Sequence, residues 1–100
     1  HDEPIGYKHV YQFYSILLPS SIRTKLANFL ASKGIMSKVF FEPAHKTVFF
    51  KKTGYSNIVL PNTEKISKQI LSLPMFPTLC KEEINYMVDS IAEFFDHTNI

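Results

Sequence analysis

Apolar residues fall on both parities in some stretches of the chain and at helical spacing in others. In 9–18, HVYQFYSILL, Val10, Tyr14, Ile16 and Leu18 share one parity while Tyr11, Phe13 and Leu17 share the other. Apolar side chains on both faces predict a strand covered on two sides, closed by Pro19. The period then changes. Ile22, Leu26, Phe29 and Leu30 make one stripe, with Arg23, Lys25, Asn28 and Ser32 off it. This predicts an amphipathic helix capped by Ser20 or Ser21 and ended by a left-handed Gly34. Residues 35–41, IMSKVFF, read as a second strand stopped by Pro43, which also pushes Glu42 toward extended geometry.

Residues 46–61 carry little pattern, with Gly54 and Asn57 as turn formers and Phe49, Phe50 and Tyr55 in need of cover. A short helix over NTEKISKQIL follows, capped by Asn62 or Thr63, with Ile66 and Ile70 facing inward. The segment 70–77, ILSLPMFP, contains two prolines and predicts a brief edge strand or an extended connection. In 80–95, Ile84, Met87, Val88, Ile91, Phe94 and Phe95 form the stripe of a last helix. Glu83 sits where a capping-box carboxylate would, and Leu79 where it can staple onto Ile84. The order of elements predicts a two-layer α/β (α+β) small domain, with a short antiparallel or mixed sheet of about three strands packed by three helices. Residues 1–8 read as a leader or junction, 9–96 as the domain and 97–100 as a frayed tail.

Composition narrows the classes. One hundred residues suit a single domain. At 45% hydrophobic and 20% charged the chain is globular rather than disordered. No apolar run approaches the ~20 residues of a spanning helix, and the polar opening HDEPIGYKH lacks a signal region. The start at His1 without Met points to a piece of a longer polypeptide. Cys80 has no partner for an internal disulfide, which favours a reducing compartment, the cytoplasm, and a packed small-residue role. A net charge of +2 spread along the chain argues against nucleic acid or an anionic membrane as partner. Nine Phe and five Tyr are much apolar area for this size, and the surplus predicts contact with another domain or subunit.

Catalytic signatures are sparse. There is no glycine-rich phosphate loop, nucleophile elbow or metal spacing, and His1, His9, His45 and His97 are scattered. Glu82, Glu83, Asp89 and Glu93 read as the solvated face of the last helix. One stretch stands apart: 38-KVFFEPAHKTVFF-50 sets Glu42, Pro43 and His45 inside the most aromatic segment. A core strand does not need the polar residues, and a solvent loop does not need the phenylalanines.

That stretch, with 60-LPNTEKISKQILSLPMFPTLCKEEINYMVDSIAEFF-95, resembles the C-terminal portion of the DegT/DnrJ/EryC1/StrS aminotransferases. The matching features are Phe40-Phe41, Pro43, Ala44 and His45, then Thr63-Glu64, then Ser72 to Leu79, then Lys81 to Phe95. The opening strand and Lys33-Gly34-Ile35 are similar as well, and the F-x-P-x-H form looks closest to the perosamine-synthase-like branch. The departures are Cys80 for a capping Thr or Ser, Lys46 for a frequent Leu, and Lys38 for a common Arg. The resemblance implies the small domain of a fold-type I enzyme using pyridoxal 5'-phosphate to aminate a nucleotide-linked 4-keto-6-deoxyhexose, with glutamate as donor. With the surface that meets the large domain left apolar, the chain is expected to self-associate as a homo-oligomer, a dimer or larger. The cofactor's lysine, its aspartate and its phosphate site belong to a large domain absent here, so no catalytic or cofactor residue is assigned. By the same resemblance His45, Lys46, Phe41 and Pro43 lie at the substrate: Pro43 fixes the loop's direction, His45 meets a sugar or phosphate oxygen, and Lys46 adds charge toward a diphosphate.

Other readings stay open at this level. His45 can be a hydrogen-bonded structural residue at a strand end, Glu42 a solvated or salt-bridged one, and Tyr11, Tyr14 and Phe76 packing residues of core or junction. The chain can also be a stand-alone binding or regulatory module on the same fold. A small independent enzyme using His45 with Glu42 lacks a third group to orient the pair.

Overall fold

The computed structural model describes residues 3–98. Tyr14–Leu17 (β1) pairs antiparallel with Ile70–Leu73 (β2), with Tyr14 opposite Leu73 and Leu17 opposite Ile70. On the other side of β2, Lys38 and Ser72 exchange backbone hydrogen bonds of 2.9 and 2.8 Å. The stretch expected at a sheet edge is therefore the central strand, and Leu71, Ser72 and Leu73 are all buried. Pro74 and Pro77 follow the last paired residue and remove no ladder donor. They do limit the third strand. Extending the Lys38 bridge requires amides at residues 70 and 74, but the Ile70 amide closes a helix on Ile66 and Pro74 has none. The strand expected over 35–41 consequently shrinks to one bridge, and the sheet is antiparallel throughout.

Ser20–Ser32 (α1) buries Ile22, Leu26 and Leu30, and half-buried Phe29 meets the Phe94 ring at 5.5 Å. Its N-cap is Pro19 without a side-chain cap bond, not Ser20 or Ser21, because the chain enters straight from β1. Gly34 ends it with φ +78°, as expected, and the Ile35 amide returns to the Leu30 carbonyl at 2.8 Å. The region 46–61 is less featureless than its pattern. A 3-10 turn at Ala44–Lys46 leads to Val48–Phe50 (α2) and a wider helical turn at Lys51–Tyr55. There Phe49, Phe50 and Tyr55 cover one another edge to face at 5.3 and 5.9 Å, yet remain exposed.

Pro61–Gln69 (α3) has Leu60 as N-cap and proline in the first turn, rather than an Asn62 or Thr63 cap. Ile66, expected inside, is exposed, and Ile70 is half-buried. Lys81–Thr98 (α4) starts as its sequence predicts: the Cys80 amide donates to the Glu83 carboxylate at 2.9 Å. Its buried line is Met87, Ser90 and Phe94, whereas Ile84 and Val88 face out. Buried Ser90 is satisfied by donating to the Tyr86 carbonyl at 2.7 Å. Packing against the single helix α1 covers a narrower stripe than the sequence offers. Lys33 and Glu93 close that helix pair at 2.8 Å, a bond that raises the lysine pKa.

The core is one cluster of Leu18, Ile22, Leu26, Leu30, Ile35, Leu71, Leu73, Met87 and Phe94. Cover over β1 is thin, and only Ile16 of its four residues is even partly buried. Tyr14 and Leu17, each 54% exposed, are not covered on both faces as their pattern predicts, and Tyr11 and Phe76 are also outside the core. Cys80 is exposed rather than packed. Helix α4 runs through His97 and Thr98; residues 99–100 of the expected frayed tail, and His1, lie outside the described residues. No helix among the described residues is long and apolar enough to cross a membrane.

Candidate functional site

From the Lys38 bridge the chain runs into its two phenylalanines. Phe40 stacks on Phe13 at 4.6 Å and Phe41 meets Phe13 edge-on at 6.0 Å. Phe40 is half-buried, but Phe41 stays 68% exposed. Pro43, with φ −55°, then feeds the 3-10 turn, where its carbonyl accepts the Lys46 amide at 2.8 Å. Thr47 Oγ1 closes the turn on the Ala44 carbonyl at 2.7 Å. Three residues per turn place His45 opposite the solvent side, and it is only 8% exposed.

A carboxylate waits there. Glu64, in the first turn of α3, brings Oε1 within 2.9 Å of His45 Nε2 and 3.1 Å of Lys46 Nζ. The Leu60 amide donates to the same oxygen at 3.2 Å. These contacts pull the Glu64 pKa from 4.5 to about 2, the His45 bond contributing most, then Lys46, then the Leu60 amide. Glu64 is thus ionised at neutral pH and can only accept. His45 Nε2 must carry the hydrogen, which leaves Nδ1 as the nitrogen free to meet a ligand.

Phe40 lines two concavities. A groove of about 370 Å³ between Phe41, Pro43, Thr63 and Ile66 opens beside the turn. A larger one of about 790 Å³ lies under Phe13, Met36, Phe40, Phe76 and Met87, with Lys38, Glu82, Glu83 and Tyr86 among its polar lining.

Of the residues singled out from sequence, His45 and Lys46 converge on Glu64, while Phe41 and Pro43 line the adjoining groove. Lys46 is ion-paired rather than a free cation. Glu42 is exposed and stands outside the cluster. The residue that sequence reasoning missed is Glu64. In sequence it is an acid at a helix start and part of the motif that carries the resemblance, with no site role attached; only packing shows that it meets His45 nineteen residues away.

Small α/β domains of this shape occur in aminotransferases. The aminotransferase TlmJ from Streptoalloteichus hindustanus superposes with a TM-score of 0.85 at 20% identity, over 97% of this chain and 25% of that one. Residues 1–92 match the DegT/DnrJ/EryC1/StrS aminotransferase family, and the chain belongs to that family, whose members depend on pyridoxal phosphate. The pleiotropic regulatory protein of Geobacillus stearothermophilus is 42% identical over 93 residues, 92% of this chain and 24% of the relative. GDP-perosamine synthase of Escherichia coli O157:H7 is 31% identical over 96 residues, 95% of this chain and 26% of the relative. The chain spans about a quarter of the length of the curated relatives it matches.

Proposed function

We propose that this chain is the C-terminal small domain of a pyridoxal-phosphate aminotransferase. The whole enzyme passes an amino group from glutamate to the keto carbon of a nucleotide-linked 4-keto-6-deoxyhexose, in polysaccharide or glycoside biosynthesis in the cytoplasm. Residues 9–96 form the domain, and Phe41, Pro43, His45 and Lys46 border the sugar nucleotide once the large domain is docked. One observation carries the proposal: Tyr14, Leu17, Phe41 and Phe49 are large apolar side chains that each stay more than half exposed. A domain of this size that leaves such side chains bare has a partner for them.

The residues present do not fit the cofactor by themselves. A pyridoxal phosphate site requires a lysine, an acid opposite the ring nitrogen and donors for the phosphate. Lys33 and Lys46 are engaged by Glu93 and Glu64, and Lys38 shares its groove with Glu82 and Glu83 rather than with phosphate donors. Cofactor chemistry belongs to the large domain, and the chain alone is inactive and self-associates through these bare side chains. Mixing the chain with pyridoxal phosphate gives no borohydride-trappable absorbance, whereas the full reading frame gives one and aminates a 4-keto nucleotide sugar. A trappable band on this chain alone overturns the assignment, and a clean monomer by light scattering at high concentration overturns the self-association.

A second reading is a binding module of a regulatory protein, favoured by the name of the Geobacillus relative. Full-length protein that leaves every 4-keto nucleotide sugar unchanged, in the presence of cofactor and glutamate, supports this one instead.

A further inference from the structure

We infer that Glu64 is a positioning residue that sets His45 as a hydrogen-bond acceptor for a sugar hydroxyl, and not as a contact for the diphosphate. The inference rests on the reading of His45 as a substrate neighbour and names the part of the substrate it serves.

The geometry carries it in three steps. First, the tautomer. A carboxylate has no hydrogen to give, so the 2.9 Å contact from His45 Nε2 to Glu64 Oε1 requires the hydrogen on Nε2. The second ring nitrogen, Nδ1, keeps its lone pair. In the neutral ring it accepts from a hydroxyl, and it has nothing to offer a phosphate oxygen, which is itself an acceptor. A carboxylate behind a histidine fixes the ring's tautomer and direction in the same way at metal sites.

Second, the charge. Lys46 Nζ lies 3.1 Å from the same Oε1, so the pair of Glu64 and Lys46 sums to zero. The cation next to His45, which the sequence offered toward a diphosphate, is therefore balanced by an anion in contact with it. Third, the anchorage. The turn that carries His45 is three residues long and has no side-chain cap at Pro43. Glu64 ties it to the first turn of α3, and the Leu60 amide at 3.2 Å holds Oε1 in place from behind. The one oxygen therefore orients the ring, offsets the lysine and locks the loop to a helix. The groove between Phe41, Pro43, Thr63 and Ile66 beside this cluster has the apolar wall that a pyranose ring face packs on.

The test has a spectroscopic arm and a kinetic arm. In the chain labelled with 15N-histidine, long-range 1H–15N correlations read the His45 tautomer, assigned by its disappearance in His45→Asn. Wild type shows the Nε2–H form. Glu64→Gln retains it, because the amide oxygen still accepts, and Glu64→Ala loses it to a mixture of tautomers. An unchanged Nε2–H form in Glu64→Ala overturns the inference. Kinetics use the full-length enzyme with a GDP-linked 4-keto-6-deoxyhexose as probe and glutamate as donor. Glu64→Ala raises KM for the sugar nucleotide about tenfold with kcat nearly unchanged, on the order expected for loss of a supporting residue. Glu64→Gln stays within about threefold of wild type, and the double variant with His45→Ala is no worse than His45→Ala alone, since both act through one contact. The probe's 2- and 3-deoxy analogues identify the hydroxyl: the one that accounts for the contact loses its sensitivity to Glu64→Ala. Additive effects, or a Ki for free GDP that moves as much as the KM for the sugar nucleotide, overturn the inference. The outcomes separate cleanly: His45→Ala without effect on KM sinks the substrate-neighbour reading itself, while an effect of His45→Ala without one of Glu64→Ala sinks only the role of Glu64.

Discussion

Ser15 and Ser72 are register partners across the β1–β2 ladder, and their hydroxyl oxygens lie 2.7 Å apart. The two environments differ: Ser72 is 3% exposed, whereas Ser15 is open to water. Removing one hydroxyl therefore has a direction. Ser15→Ala strands the Ser72 hydroxyl in the interior without a partner, and a buried group left unpaired costs about 1–3 kcal/mol. Ser72→Ala leaves the Ser15 hydroxyl where water replaces the lost bond, so the cost is the net worth of one hydrogen bond, about 0.5–1.5 kcal/mol. The double variant removes both ends and falls near Ser72→Ala, well short of the sum. Urea unfolding of the chain, followed by circular dichroism at constant m, reads the order from the midpoints. In a thermal melt each kcal/mol corresponds to roughly 4–8 °C for a domain of this size. A Ser72→Ala variant less stable than Ser15→Ala, or strictly additive losses, refutes the pairing of these hydroxyls across β1 and β2. A slip of one residue would turn every side chain of β1 to the opposite face.

Further tests probe other layers. Leu71 is fully buried at the centre of the sheet, so Leu71→Ala costs about 2–5 kcal/mol, while Val88→Ala, on the 55% exposed flank of α4, costs no more than about 0.5 kcal/mol; equal losses in urea melts would contradict the stripe seen here. Gly34 holds φ +78° with open space around its Cβ position, so Gly34→Ala destabilises by backbone strain alone, about 1 kcal/mol, and Gly34→Asn by less; equal effects of the two in urea melts would mean strain is not the cause. The Glu64 pKa is depressed from 4.5 to about 2, so its contribution to stability is complete above pH 4.5 and is lost as pH falls through about 2. The gap in urea midpoint between wild type and Glu64→Gln therefore holds steady near pH 6 and narrows on acidification; a gap that widens would reverse the sign of the linkage.

Much of this molecule is legible without coordinates. The stripe Ile22, Leu26 and Leu30 fixes α1 and its buried face, Gly34 ends it, and Glu83 three residues after Cys80 starts α4, because spacing and caps are local physics. The motif residues Phe41, Pro43, His45 and Lys46 were also visible, being neighbours in the chain. Tertiary structure decided what local pattern leaves open. Whether 70–73 is edge or centre depends on which segments come alongside it, and Ser72, paired on both sides, settles that through contacts to residues 15 and 38. Apolar parity on both sides of β1 looked like two layers of cover, but periodicity records what a face prefers and not what is present to cover it. Glu64 is the sharpest case. Its position in sequence is that of an ordinary helix-start acid, and its meeting with His45 exists only because the turn at 44–46 folds back on α3. Hydrogen-bond partners far apart in the chain are chosen by packing, which no window along the sequence contains.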